Sequence, residues 1–338
     1  MIKSRGLLNE FCFFMLLCCI GCNTNNVNEK FQNDRDNVLH VKNRIKEFHV
    51  ENVLIGSYAR SYVLNDYILI ADYKSLDKMV HVFDAKTLQY MTSCVNRGEG
   101  PEEVLNMGCL GIDEAHRTFY VSDHAKLKIF SYPIDSVLAN PFYVHQIKTE
   151  MNAAQFPSEY QYINDTLCIG RVICPIGNND YKPTVAKWNM TTGMIIPMEY
   201  NHPDIKKKRM LCTASVENGI YVECYQNRDL MTICTLDGNL KFNVYGPDWK
   251  HEAERDQYYD QPVICKNYIL VPCYDNSEYK KPSSPTKILI FDINGDYLQT
   301  LEVGYNIQSF CYDRCNNRLI LVLNDEIQFG YLDMNGII

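Results

Sequence analysis

The chain has 338 residues, 46% apolar and 12% aromatic, enough to bury a large core and to exclude global disorder. Its 33 basic and 41 acidic residues leave a net charge of −8, and no basic cluster exceeds Lys206–Arg209. That balance disfavours nucleic acid and anionic lipid surfaces as partners.

The first 21 residues read as a targeting segment. Lys3 and Arg5 give a basic start, and Phe11–Ile20 supply a mostly apolar stretch that fits a secretory leader and is too short to span a membrane. Cys19-Ile20-Gly21-Cys22 resembles a bacterial lipobox, with Cys19 where leucine is usual. The resemblance implies a leader over 1–21 and acylation of Cys22, whose several chains would hold the protein stably on a membrane. Without the leader the charge is 31 basic against 40 acidic residues, or −9. Residues 22–39 are polar, with 23–37 almost free of apolar side chains, and read as a flexible tether.

From residue 40 onward the chain repeats. Short apolar runs end at a polar or turn position at Ile68–Asp72, Phe119–Asp123, Leu167–Arg171, Gly219–Glu223, Ile269–Cys273 and Ile320–Asn324. The steps between their last residues are 51, 48, 52, 50 and 51, the signature of a repeat architecture. Unit one reads as four strands, Tyr62–Leu64, Tyr67–Ala71, Val80–Phe83 and Leu88–Cys94. Unit four repeats the scheme with Leu211–Val216, Ile220–Tyr225, Leu230–Leu236 and Leu240–Tyr245, the last after Asp237-Gly238-Asn239. Asp-Gly and Asn-Gly at such places are hairpin signals. Ile68–Ala71 is apolar at successive positions, as a strand covered on both faces must be. No segment keeps a helical period with caps, so helix should be scarce.

The sixth unit supplies Ile307–Tyr312, Arg318–Leu323 and Glu326–Leu332 and lacks a fourth strand, whereas Val41–Ile55 has strand character without a partner in unit one. Pairing the two closes a ring. The expected fold is therefore all-β, a six-bladed β-propeller over 40–338 with four-stranded antiparallel blades, the last completed from the N-terminal side.

Fifteen cysteines are present, of which Cys12, Cys18 and Cys19 leave with the leader and Cys22 is the expected lipid site. The remaining eleven show no C-x-x-C and no zinc-type spacing. Several sit in apolar strand patterns as small hydrophobes, while Cys311 and Cys315 flank a turn across which a disulfide could form.

Between units one and two stands Arg97-Gly98-Glu99-Gly100-Pro101-Glu102-Glu103. It resembles the R-G-x-G-P-x-E motif of the TolB-like six-bladed propeller lipoproteins of Bacteroidota, with Glu102 where glycine is common. The likeness covers roughly residues 40–335 and implies an envelope lipoprotein whose role is binding. Asn23–Asn28 lack the acidic cluster that often marks surface export in these bacteria, which favours the periplasmic side. In the heptapeptide itself, Gly98 and Gly100 permit positive φ and Pro101 fixes the exit from the turn.

The loop between the second and third strands of a blade opens on the same rim as the connection to the next blade. Asp72, Asp123, His124, Arg171, Asp275 and Asp325 should therefore share a face with Arg97, Glu99, Glu102 and Glu103. Such a rim, with the long loops Cys174–Pro183 and Tyr274–Pro285, suits a protein or glycan partner in the cell envelope. The alternative use of aspartate at a strand end is to cap its own loop. Catalytic motifs are absent: His251-Glu252-Ala253-Glu254-Arg255 has arginine where a zinc-protease helix needs histidine, and there is no G-x-S-x-G elbow or phosphate loop. No cofactor or metal is expected on the binding reading. The alternative function is a calcium-type metal-dependent hydrolase or lactonase at the central channel, as in some six-bladed propellers.

Overall fold

In a computed structural model, residues 27–140, 142–177, 180–206, 208–252, 257–276 and 283–338 are described. The expected leader over 1–21 and Cys22 lie outside them. Three short strands come first, β1 (Glu29–Phe31), β2 (Val38–His40) and β3 (Ile45–Glu47). Blade one follows with β4 (Ala59–Leu64), β5 (Tyr67–Asp72), β6 (Lys78–Asp84) and β7 (Tyr90–Asn96). Blade two has β8 (Met107–Asp113), β9 (Thr118–Asp123), β10 (Lys128–Pro133) and β11 (Gln146–Glu150), with the helix α1 (Ile134–Ala139) between its last two strands. Blade three has β12 (Phe156–Asn164), β13 (Leu167–Gly177), β14 (Asp180–Trp188) and β15 (Ile195–Pro197). Blade four has β16 (Met210–Ser215), β17 (Ile220–Tyr225), β18 (Leu230–Thr235) and β19 (Leu240–Tyr245). Blade five has β20 (Val263–Cys265), β21 (Tyr268–Cys273), β22 (Lys287–Asp292) and β23 (Tyr297–Glu302). Blade six has β24 (Ile307–Asp313), β25 (Arg318–Leu323) and β26 (Phe329–Asp333).

The protein is a six-bladed β-propeller of antiparallel blades, and its ring closes as the sequence implies. β3 pairs antiparallel with β26, Ile45 opposite Leu332 and Glu47 opposite Gly330. Only Ile45–Glu47 of the expected Val41–Ile55 stretch is strand, while Phe48 continues the seam against Phe329 and Phe83. Closure removes the edge that a three-stranded blade would expose.

The second strands carry apolar residues at successive positions because each is a wall between two inter-blade cores. Ile68 and Ile70 of β5 pack with Ile320, Val322 and Phe329 of blade six. Leu69 and Ala71, pointing the other way, pack with Phe119, Val121 and Phe130 of blade two. β17 repeats this, with Val222 facing Val271 of blade five and Tyr221 facing Val185 of blade three. The hairpin signals also hold their meaning, since Gly238 and Gly295 take φ of +92° and +82°.

One expectation is overturned. The described part of the supposed tether is laid against the propeller: β1 adds to β19 and β2 adds to β23, both parallel, as fifth strands of blades four and five. Side chains hold this strap. Phe31 stacks on Tyr245 with ring centroids 4.5 Å apart, and Lys30 bonds Asp296 at 2.7 Å. Arg35 enters a buried site, bonding Asp229 Oδ1 at 2.9 Å and the Tyr259 hydroxyl at 2.7 Å. A polar composition hid these few anchoring residues. The cysteine pair also stays open, since all eleven described cysteines, including Cys311 and Cys315, are free thiols.

Removing one partner of a buried ion pair strands the other charge. The Arg35 side chain is 12% exposed and that of Asp229 1%, so Arg35→Ala is expected to cost about 3 kcal/mol of stability. Denaturant unfolding of the two proteins checks this; equal midpoints and slopes would show that the strap is dispensable.

Candidate functional site

The ten rim residues lie at the same end of the propeller, but most of them are spent on the loops. The carboxylate of Asp72 accepts backbone N–H bonds from Gly56 at 2.7 Å and Lys74 at 2.9 Å. Asp123 accepts from Leu105 at 2.8 Å and Asn106 at 3.2 Å on the incoming connection, and from Ala125 at 3.0 Å on its own turn. Asp325 likewise accepts from Asn306 at 3.1 Å and Glu326 at 2.9 Å. The periodic aspartate of blades one, two and six is thus a staple between its own turn and the connection that enters the blade. Asp275 pairs with Lys287 at 2.5 Å.

The heptapeptide is similarly occupied. Arg97 donates to the Ser75 carbonyl at 2.9 Å, and the Glu103 carboxylate accepts the Gly100 N–H at 2.8 Å. Lys126 donates to the carbonyls of Gly100 and Glu103 at 2.5 and 2.6 Å. Gly98 and Gly100 do not take positive φ, contrary to expectation. A Cβ at Gly98 would lie 1.9 Å from Glu103 Oε2, so a side chain there would shift the carboxylate that accepts the Gly100 N–H. Glu99 and Glu102 stay exposed.

His124 and Arg171 are different, for they line a cavity of about 500 Å³ at the mouth of the central channel. Below it lies a cavity of about 770 Å³ walled by the first strands of the blades. Arg60, Cys109, Glu159 and Gln308 belong to the walls of both. The centre of the mouth is an ionic network: Arg60 bonds Glu159 Oε1 at 2.5 Å and Arg171 reaches Oε2 at 3.2 Å. Arg171 also donates to Ser158 Oγ at 3.1 Å and the Met210 carbonyl at 3.3 Å, fixing its fork between blades three and four. Arg60 lies over the Tyr73 ring at 5.5 Å, and the Tyr73 hydroxyl meets that of Tyr62 at 3.0 Å.

Electrostatics divide two of the channel carboxyls, Glu159 and Asp260. Burial alone would raise the pKa of Glu159, but the Arg60 and Arg171 guanidiniums overcome it and hold the carboxyl below its ordinary range. Burial pushes Asp260 up, against hydrogen bonding from the Gln261 N–H. Burial also keeps the channel thiols protonated, raising Cys109 to about 11 and Cys212 to about 12. Such thiols are poor nucleophiles. Among the described residues no three His, Cys, Asp or Glu side chains come together as a metal-binding group.

Arg60, Glu159 and Asp260 are the site residues that the sequence reading missed. The expected first strand of blade one began at Tyr62, three residues after Ala59, and so left Arg60 outside. The available signal was a charge within a period-two strand on an innermost position, as Glu159 stands between Ser158 and Tyr160 in β12. Parts of both long loops lie outside the described residues, at 178–179 and 277–282. The described part of Cys174–Pro183 is not a loop, because β13 and β14 extend through it as a hairpin. Residues 253–255 of the His251–Arg255 segment also lie outside.

A closed six-bladed ring with a charged channel mouth defines the class of molecule. A family model described as a six-bladed β-propeller, DUF5128, matches residues 47–166. A DUF4221 family member from Bacteroides vulgatus is similar in structure, with a TM-score of 0.60 and 12% identity over 88% of this chain and 98% of that one. A putative exported protein from Bacteroides fragilis gives 0.52 and 12% identity over 87% of each chain. A luciferin-regenerating enzyme gives 0.53 and 9% identity over 85% of this chain and 94% of that one. At these identities the likeness concerns the fold. No curated protein sequence matches the chain.

Two histidines shielded from water, His81 and the half-buried His124, are expected to make the fold acid-sensitive. His81 bonds Ser93 Oγ at 2.7 Å, and burial lowers its pKa to about 4, partly offset by Asp72; burial lowers that of His124 as well. The unfolded chain takes up these protons near pH 6.5, so the contribution is complete above that pH and lost as pH falls toward 4. Calorimetry should show Tm dropping between pH 7 and 4.5, with a shallower drop for His81→Gln. Parallel profiles would remove His81 as a cause.

Proposed function

We propose that the protein is a lipid-anchored propeller of the cell envelope that binds a protein or glycan partner through the channel mouth and its rim. The observation that carries this reading is the mouth itself. Arg60, Arg171 and Glu159 meet there beside half-exposed or exposed tyrosines, on the end where the connections of several blades open. Tyr58 is 60% exposed, and Leu54 and Leu76 on the same rim are more than 90% exposed. Aromatic and arginine side chains around a concavity are the usual energetic centre of a binding surface.

The envelope assignment rests on the leader pattern and Cys22, and the exported protein among the structural neighbours agrees with it. The strap adds an orientation. β1 runs parallel to β19, and Asn28 bonds the Leu240 carbonyl at the start of that strand, so the chain joins the propeller at the end opposite the mouth. An anchor at Cys22 would then leave the mouth facing away from the membrane.

Binding is preferred to metal-dependent hydrolysis because the mouth gathers two guanidiniums and tyrosines around a concavity. The test is capture from envelope extracts on the full-length protein, with Cys22→Ser and Arg171→Glu as variants. Cys22→Ser should leave the membrane fraction after a high-salt wash. Arg171→Glu should retain about tenfold less partner, a loss of about 1.4 kcal/mol, because it reverses a charge at a partly buried contact. Membrane retention of Cys22→Ser would end the anchor reading, and undiminished capture by Arg171→Glu would move the surface away from the mouth.

A further inference from the structure

The mouth carries an imbalance of charge that the fold does not resolve. Two guanidiniums, Arg60 and Arg171, share the single carboxylate Glu159. The site therefore holds an uncompensated positive charge within a protein that is acidic overall. Arg171 has its fork committed to Ser158, Met210 and Glu159, whereas among the described residues Arg60 donates only to Glu159. A guanidinium has five N–H donors, so Arg60 retains a free edge toward the cavity.

The walls also hold neutral polar groups. Ser61, Tyr160 and His124 belong to them, with Ser122 near the Tyr160 hydroxyl and the Pro157 backbone near the His124 ring. Ser61 and Tyr160 line the deeper cavity and His124 the mouth. The amides of Gln161, Gln261 and Gln308 lie on the same walls, and the tyrosines Tyr62 and Tyr73 offer ring faces beside Arg60. Volumes of about 500 and 770 Å³ lie in the range of small-ligand pockets.

From these features we infer that the channel mouth binds an acidic saccharide, a uronic-acid residue free or at the end of a chain. Its carboxylate pairs with the free edge of Arg60, with Arg171 adding to the positive field. Its hydroxyls engage the His124 imidazole and the glutamine amides on the walls, and a sugar face rests on tyrosine. The inference names the ligand class for the mouth assigned above as the binding site, and rests on that reading.

Isothermal titration of the folded full chain with D-galacturonate and digalacturonate tests it, with glucose and sodium sulfate as controls in low salt. Saturable binding of the uronates is expected, at least tenfold tighter than glucose or sulfate and weakened by added salt. Arg60→Gln should lose at least tenfold in affinity. Glu159→Gln, which removes the competing carboxylate, should gain affinity, a change of sign that general damage to the fold does not produce. If Arg60→Gln is unstable, Arg171→Gln and the wild-type salt dependence carry the same test. Equal binding of sulfate would reduce the site to an adventitious anion site and overturn the inference, as would equal binding of glucose or no uronate binding. Failure here together with loss of partner capture by Arg171→Glu would overturn the ligand class and leave the binding surface standing.

Discussion

Everything in this molecule depends on the pairing of Ile45–Glu47 with Gly330–Leu332. Six blades that each expose two apolar faces cannot stop at an open end, because the first and last would leave those faces in water. Closing the ring gives Ile68 and Ile70 their partners Ile320, Val322 and Phe329. It also brings six first strands around one axis, which creates the channel. The contact between Arg60 of blade one and Glu159 of blade three bridges the mouth of that channel.

The periodic aspartates secure the same architecture locally. Asp72, Asp123 and Asp325 each accept N–H groups from the segment that enters their blade, satisfying donors that a tight connection cannot pair with backbone. The rim is therefore stiff where its motif residues are, and the chemistry sits inward at Arg60, Glu159 and Arg171. The strap over blades four and five adds a further constraint, since Arg35, Asp229 and Tyr259 tie the N-terminal segment to the outer edge.

Much of this fold was legible because its signals are local. An unbroken apolar run such as Ile68–Ala71 and a turn such as Asp237-Gly238 each fix one element, and repetition fixes the count. The site was less legible because it is assembled from strands about 50 or 100 residues apart in the chain. Arg60 and Glu159 look like ordinary polar interruptions until the fold makes them neighbours. The motif Arg97–Glu103 drew attention as a recurring pattern, yet its glycines and Glu103 shape a connection. Nor does composition reveal a strap, since three or four anchoring side chains decide whether a polar segment is free or docked.

The central claim is that the closed ring presents one binding face, the channel mouth. Hydrogen–deuterium exchange of the full chain, alone and with its captured partner, reads this directly. The account predicts slowed exchange at the backbone around Gly56–Tyr62, Met107–Cys109 and Ser158–Tyr160, with the outer strands Tyr90–Asn96, Gln146–Glu150 and Ile195–Pro197 unchanged. Protection confined to those outer strands, with the mouth exchanging as in the free protein, would contradict it.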